Sequence, residues 1–193
     1  MKASNSYREG TVVKKKMQKE RNGSKMKIKD PKYQHIVHPI PPLFNSDSRI
    51  LILGSLPSVK SREAMFFYGH PQNRFWKMIS LVFGEPFPQS VEEKKKLVLK
   101  HNLAMWDAIY SCDIIGSSDS SIKNVTPTDL KRIVDHSKVE KVLCNGKTSG
   151  KYYEQYQMKE LGIRAEVLPS TSPANAACSL EKLVDIWGEA LRE

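Results

Sequence analysis

Arg49-Ile50-Leu51-Ile52-Leu53-Gly54 is a continuous apolar run closed by glycine. A strand buried on both faces reads this way, because neither side meets water and no polar alternation is needed. Outward from it the chain alternates. Asn73–Phe83 spaces Phe75, Ile79 and Val82 at helical intervals. Ser90, with Glu93 three residues on, marks a capping box at the start of a helix running to His101. Leu103–Ile109 predicts a second strand, Val139–Cys144 a third and Ala165–Leu168 a fourth. Thr128 is placed to cap a helix to about His136, and Thr148–Met158 predicts another. Ser179–Leu191 predicts an amphipathic helix with Leu180, Leu183, Val184 and Trp187 on one face. Ser55–Gln72 and Gly116–Ser121 read as loops. Strands alternating with helices predict an α/β fold, a three-layer α/β/α domain with a central parallel sheet of about four strands.

The 193 residues carry a formal net charge of +10. Residues 1–32 hold eleven Lys and Arg side chains against three acidic ones, so the remainder is nearly neutral. This divides the chain into a basic N-terminal arm over residues 1–35, expected to be disordered, and one domain over residues 36–193. Such an arm can add salt-dependent attraction to phosphates. Cys112, Cys144 and Cys178 are far apart and form no C-x-x-C pair. Neither a disulfide framework nor a cysteine metal site is implied, and small buried side chains in a reducing cytoplasm are expected. No apolar run approaches membrane-spanning length, and the basic N-terminus lacks the apolar segment of a secretory signal.

Tyr68-Gly69-His70-Pro71-Gln72-Asn73-Arg74-Phe75-Trp76 follows the first strand by one loop. In open parallel sheets ligands bind beyond the carboxyl ends of the strands. This stretch brings aromatic, imidazole, amide and guanidinium groups there together, the mixture that grips an extruded nucleobase. The loops Gly54-Ser55-Leu56-Pro57-Ser58, Asp107 onward, Asn145-Gly146 and Ser170–Asn175 are expected at the same rim. Their small and polar residues let a backbone come close and can grip phosphate. No dinucleotide or phosphate-loop glycine motif, H-E-x-x-H, G-x-S-x-G or tight carboxylate cluster accompanies them. Metal-free hydrolysis of an N-glycosidic bond fits what is present. The sugar becomes oxocarbenium-like, and donors aimed at the departing base supply much of the acceleration.

R-I-L-I-L-G-S-L-P-S over residues 49–58, Y-G-H-P-Q-N-R-F-W over 68–76, Trp106–Asp119, Asn145-Gly146-Lys147 and L-P-S-T-S-P-A-N over 168–175 resemble, in the same order, the uracil-DNA glycosylase superfamily. The branch they most resemble is the hypoxanthine- (deoxyinosine-) DNA glycosylases. The mismatch-specific uracil-DNA glycosylases share the H-P-x-N-R-F-W-K run and the closing S-L-E-K-L-V helix. The resemblance spans Pro41 to Arg192. It implies a monofunctional glycosylase, a hydrolase of N-glycosyl bonds in base excision repair. It further implies a cytoplasmic monomer acting on double-stranded DNA that holds a deaminated base, with no cofactor and no metal.

Uracil-cleaving branches carry a water-positioning Asp or Asn where this chain has Leu56, which cannot hold water. Asn73 is therefore the candidate catalytic residue, with the N-cap of its helix as its other reading. Tyr68 is the candidate to stack on the base, with Asn145 and His70 as base-binding groups. Gly54, Ser55, Ser58, Asp107, Ser170, Ser172 and Asn175 are expected to contact the DNA backbone or shape loops, Asp107 by accepting backbone N–H groups. Phe75 and Trp76 are expected in the core. Two other functions stay open: a mismatch uracil/thymine-DNA glycosylase of the same fold, and a non-catalytic module that binds damaged DNA.

Overall fold

The computed structural model describes residues 32–192. Its order is β1 (Gln34–Val37), β2 (Ile50–Gly54), α1 (Val59–Glu63), α2 (Phe75–Phe83), α3 (Val91–Lys100), β3 (Leu103–Asp107), β4 (Ile109–Ile114), a 3-10 turn at Asp119–Ser121, β5 (Lys123–Pro127), α4 (Lys131–Val134), β6 (Lys141–Asn145), α5 (Lys147–Tyr156), α6 (Met158–Leu161), β7 (Ala165–Leu168) and α7 (Leu180–Arg192). The arm expected to be disordered lies almost wholly outside the described residues, and β1 begins at Gln34. No described helix is long and apolar enough to cross a membrane.

The apolar run forms the inside of the main sheet, as expected. β2 pairs in parallel with β3 on one side and β6 on the other, and β7 closes the order β3-β2-β6-β7. Leu51, Ile52 and Leu53 are fully buried. In this order the chain leaves β2 for β3 and later returns to the opposite side of β2 as β6. The connections thus diverge between β2 and β6, and a crevice opens beyond their carboxyl ends, at Gly54 and Asn145.

Helices pack around the sheet. α2 buries Phe75, Trp76, Met78 and Ile79 and lies against α7, which buries Leu183 and Trp187. The Trp187 indole donates to the Pro169 carbonyl at 3.0 Å, tying α7 to the loop after β7. α3 starts with the anticipated capping box between Ser90 and Glu93. The three cysteines are free and buried. Burial pushes the thiols of Cys112 and Cys144 up to about 11.

Two expectations are corrected. Leu103–Ile109 is not one strand: β3 ends at Asp107, the chain turns at buried Ala108, and β4 enters a second, antiparallel sheet of order β1-β4-β5. Register shifts between Ile109 and Ser111 and between Ser111 and Asp113 break the period-2 alternation that would have revealed β4. Thr128 does not cap α4. Its hydroxyl donates to the Asp107 carbonyl at 2.7 Å, and the Asp129 carboxylate accepts the Lys131 N–H instead.

Candidate active site

A cleft of about 360 Å³ opens beyond β2, β3, β6 and β7, within the usual size range of small-ligand sites. Every rim loop expected from the sequence reaches it. Residues 54–60, Tyr68, His70, Asn73, Asp107, Asn145 and residues 170–174 all line it.

Gly54 is dictated by its neighbour. A Cβ there would lie 2.0 Å from Asp107 Oδ1, so any other residue would displace that carboxylate. Gly146 is similar, with φ of +103° and Ser170 Cβ only 3.0 Å from where its own Cβ would sit. Asp107 itself is buried. Asp107 was expected to accept backbone N–H groups, but among the described residues none donates to its side chain. Its Oδ2 is 2.8 Å from His38 Nε2, and both side chains are nearly sealed from solvent.

Tyr68 has φ of +52°, a left-handed conformation that a bulky aromatic residue rarely adopts. The strain turns its ring onto Phe75, with centroids 4.1 Å apart and planes 23° from parallel. Phe75 in turn meets Trp76 and Trp187 edge-on at 5.0 Å and 6.2 Å, so the ring that lines the cleft is braced by an aromatic stack. Burial of the phenol pushes its ionisation far above the ordinary tyrosine value. The negative charge of Asp107 adds to this, and hydrogen bonding from Asn145 works the other way. Tyr68 therefore stays a neutral hydroxyl at any physiological pH.

Asn73 Oδ1 accepts two hydrogen bonds. One comes from the Phe75 N–H at 3.0 Å, the first helical N–H of α2, and one from the Thr171 hydroxyl at 2.9 Å. These two donors fix which end of the amide is oxygen, and they use both lone pairs. The Nδ2 group has no hydrogen-bond partner among the described residues. Asn145 is held by the same threonine. Its Nδ2 donates to Thr171 Oγ1 and its Oδ1 accepts the Thr171 N–H, each at 2.9 Å. Asn145 lines the cleft as expected, but most of its amide is already engaged. His70 Nδ1 accepts the Gln72 N–H at 3.2 Å, which leaves Nε2 as its second hydrogen-bonding nitrogen.

The remaining expected residues shape the rim. Ser58 caps α1 by accepting the Ser61 N–H, and Ser55 accepts the Ile109 N–H on its carbonyl. Ser170 and Ser172 hydroxyls accept the N–H groups of Ser172 and Ala174, and Asn175 Nδ2 donates to the Ser170 carbonyl. Leu56 lines the cleft and packs on the apolar cluster around Ile109 and Tyr152. Asp119 lines the cleft. Desolvation raises its carboxyl above the ordinary value, while hydrogen bonds from Thr148 and Ser55 oppose the shift.

Three residues the sequence reading passed over organise this site. Thr171, fully buried, joins Asn73 to Asn145. Arg74 is not among the residues that line the cleft. Its guanidinium donates to the carbonyls of Thr171, Ser172, Asn175 and Cys178, fastening the 171–178 loop to the start of α2. The third is His38. Thr171 and Arg74 stood inside the motifs quoted above, and their chemistry was visible there; His38 stood outside all of them.

A family model described as the uracil DNA glycosylase superfamily matches residues 41–190 of this chain. The chain is 34% identical over 137 residues to a protein of Methanosarcina acetivorans named hypoxanthine DNA glycosylase, covering 70% of this chain and 85% of that one. It is also 34% identical over 155 residues to a protein of the same name from Methanosarcina barkeri, covering 79% and 96%. The solution NMR structure of a Methanosarcina acetivorans protein, provisionally described as a uracil DNA glycosylase, superposes with a TM-score of 0.71 at 29% identity, covering 82% of this chain and 98% of that chain.

Proposed function

The chain belongs to the uracil DNA glycosylase superfamily, and from that premise we propose that it removes hypoxanthine, the deaminated form of adenine, from double-stranded DNA by hydrolysing its N-glycosidic bond. The names of the two Methanosarcina relatives favour this base, and so does Leu56 at the position that holds a polar residue in uracil-cleaving branches.

The observation that carries the chemistry is the orientation of Asn73. With Oδ1 occupied by Phe75 and Thr171, only its N–H donors are available to the cleft. Such a group holds a water by its oxygen, or a departing base by its lone pair, but it takes no proton. That suits a dissociative reaction, in which the glycosidic bond breaks first and the cationic sugar captures a weak nucleophile. The flipped base stacks on Tyr68, backed by Phe75. His70 Nε2 donates to the base or to an adjacent phosphate. Residues 170–175, held by Arg74, present the loop that meets the duplex. One chain builds the whole cleft, so a monomer suffices. Three unpaired cysteines agree with a reducing cytoplasm.

The test presents the enzyme with duplexes holding inosine, uracil or xanthine opposite each normal base, in chelator. Released free hypoxanthine, with strand breakage only after alkali, is expected. Release of uracil in preference to hypoxanthine would refute the substrate, and binding with no base release would show a damage-binding module.

A further inference from the structure

We infer that His38 is a positioning residue for base recognition: it locks Asp107 so that the second carboxylate oxygen faces the cleft as a fixed hydrogen-bond acceptor. The inference rests on the glycosylase reading and extends it to how the base is chosen.

His38 lies in the lead-in between β1 and β2, far from every motif. Its Nδ1 accepts the Ile40 N–H at 3.2 Å, so the ring proton of the neutral tautomer is on Nε2, 2.8 Å from Asp107 Oδ2. The ring cannot swing away. The His38 N–H donates to the Tyr110 carbonyl, the Trp106 indole donates to the Ile40 carbonyl, and Trp106 meets the His38 ring edge-on at 6.1 Å. The other oxygen, Oδ1, has no hydrogen-bond partner among the described residues. It occupies the space Gly54 vacates, in a residue that lines the cleft.

The chemistry of deamination matches this oxygen. When adenine loses its amine, its ring N1 changes from a bare lone pair to an N–H. A carboxylate only accepts, so it attracts the N–H of hypoxanthine and repels the lone pair of adenine. An asparagine at 107 would rotate to suit either. The same negative charge does nothing for an electron-rich departing base. Asp107 therefore acts in binding and choice, and its effect falls on half-saturation rather than on the rate of bond breaking.

The experiment compares wild type, His38→Leu and His38→Gln in single-turnover excision from inosine duplexes over a range of enzyme concentration. Melting temperatures are measured alongside. Glutamine restores an N–H near the position of Nε2. His38→Leu is expected to raise the half-saturating concentration about tenfold or more, the loss of one charge-assisted hydrogen bond. The saturated rate should change far less, and His38→Gln should recover most of the affinity. Replacing the inosine N1–H with N1-methyl should weaken wild type by a similar factor and His38→Leu much less. A folded His38→Leu with unchanged half-saturation, or equal sensitivity of both enzymes to the methyl group, overturns the inference while leaving the glycosylase reading intact. A wild type that releases no base overturns both.

Discussion

Replacing Thr171 by valine tests whether the amide network holds the reacting groups. The side chains have nearly the same shape, and Thr171 is fully buried, so no cavity forms. Two hydrogen bonds disappear, from Thr171 Oγ1 to Asn73 and from Asn145 to Thr171 Oγ1, each at 2.9 Å. At about 1 kcal/mol each the loss is about 2 kcal/mol. For a chain of this size that lowers the melting temperature by about 4–8 °C. Backbone bonds survive: the Thr171 N–H still reaches Asn145, and its carbonyl still accepts from Arg74. The loop therefore stays in place while the Asn73 amide loses one of its two anchors. A catalytic group misplaced by a fraction of an ångström to one ångström reacts about tenfold to a hundredfold more slowly. Single-turnover excision from inosine duplexes at saturating enzyme reads that loss directly. Thr171→Ser keeps the hydroxyl and should stay within a few fold of wild type. A Thr171→Val enzyme that melts lower but excises at the parental rate would show that the network serves stability alone.

Asn73→Ala removes both the donor and the anchor of α2. Excision should fall about tenfold to several hundredfold, with a stability loss of about 1 kcal/mol from the lost Phe75 N–H bond; a normal rate in a destabilised enzyme would assign Asn73 to structure only. Leu56→Asn places a polar group on the cleft wall and should raise uracil release relative to hypoxanthine release, measured on paired duplexes; an unchanged uracil rate in a folded variant would show that position 56 does not face the reacting carbon. The raised ionisation of Asp119 favours the fold while the carboxyl is protonated, below the ordinary carboxylate value, and that contribution is lost as pH rises through the raised value. Asp119→Asn should therefore melt slightly higher than wild type at neutral pH and converge with it in acid; equal curves throughout would mean that its surroundings do not disfavour the charge. If residues 1–32 contact DNA, deleting them should weaken binding equally for lesion and normal duplexes and flatten its salt dependence, because phosphate contacts carry no sequence information; an identical salt slope would make the arm irrelevant to DNA.

The sheet was legible because burial on both faces leaves a plain signature. Leu51, Ile52 and Leu53 meet no water. β4 was illegible because its bulges put Ser111 and Cys112, neighbours in sequence, both inside, where a regular strand would turn one of them outward. Thr128 misled for another reason. A threonine before an amphipathic stretch reads as a cap, yet its hydroxyl found the Asp107 carbonyl at the β3–β4 corner, 21 residues back. Local propensity loses where a tertiary acceptor is within reach.

The site shows the same division. The types of residue at the rim were readable, because each follows a strand end or falls in the dense run 68–76. Their partners were not. Asn73 meets Thr171 across 98 positions of sequence, and His38 meets Asp107 across 69. Only the fold makes these pairs, and they decide what each polar group can do. From sequence, helix capping and catalysis compete as explanations of Asn73. In the structure the N-cap of α2 is Arg74, not Asn73; the Asn73 oxygen, one residue earlier, accepts the Phe75 N–H, and because that bond and the Thr171 hydroxyl occupy it, the nitrogen is the end available to the cleft. These two bonds thus select which chemistry Asn73 can offer: donation to water or base, never proton abstraction. Leu56 of this chain offers no hydrogen bond to a water, whereas the Asn73 amide sits at a helix start that Arg74 fastens to the last loop.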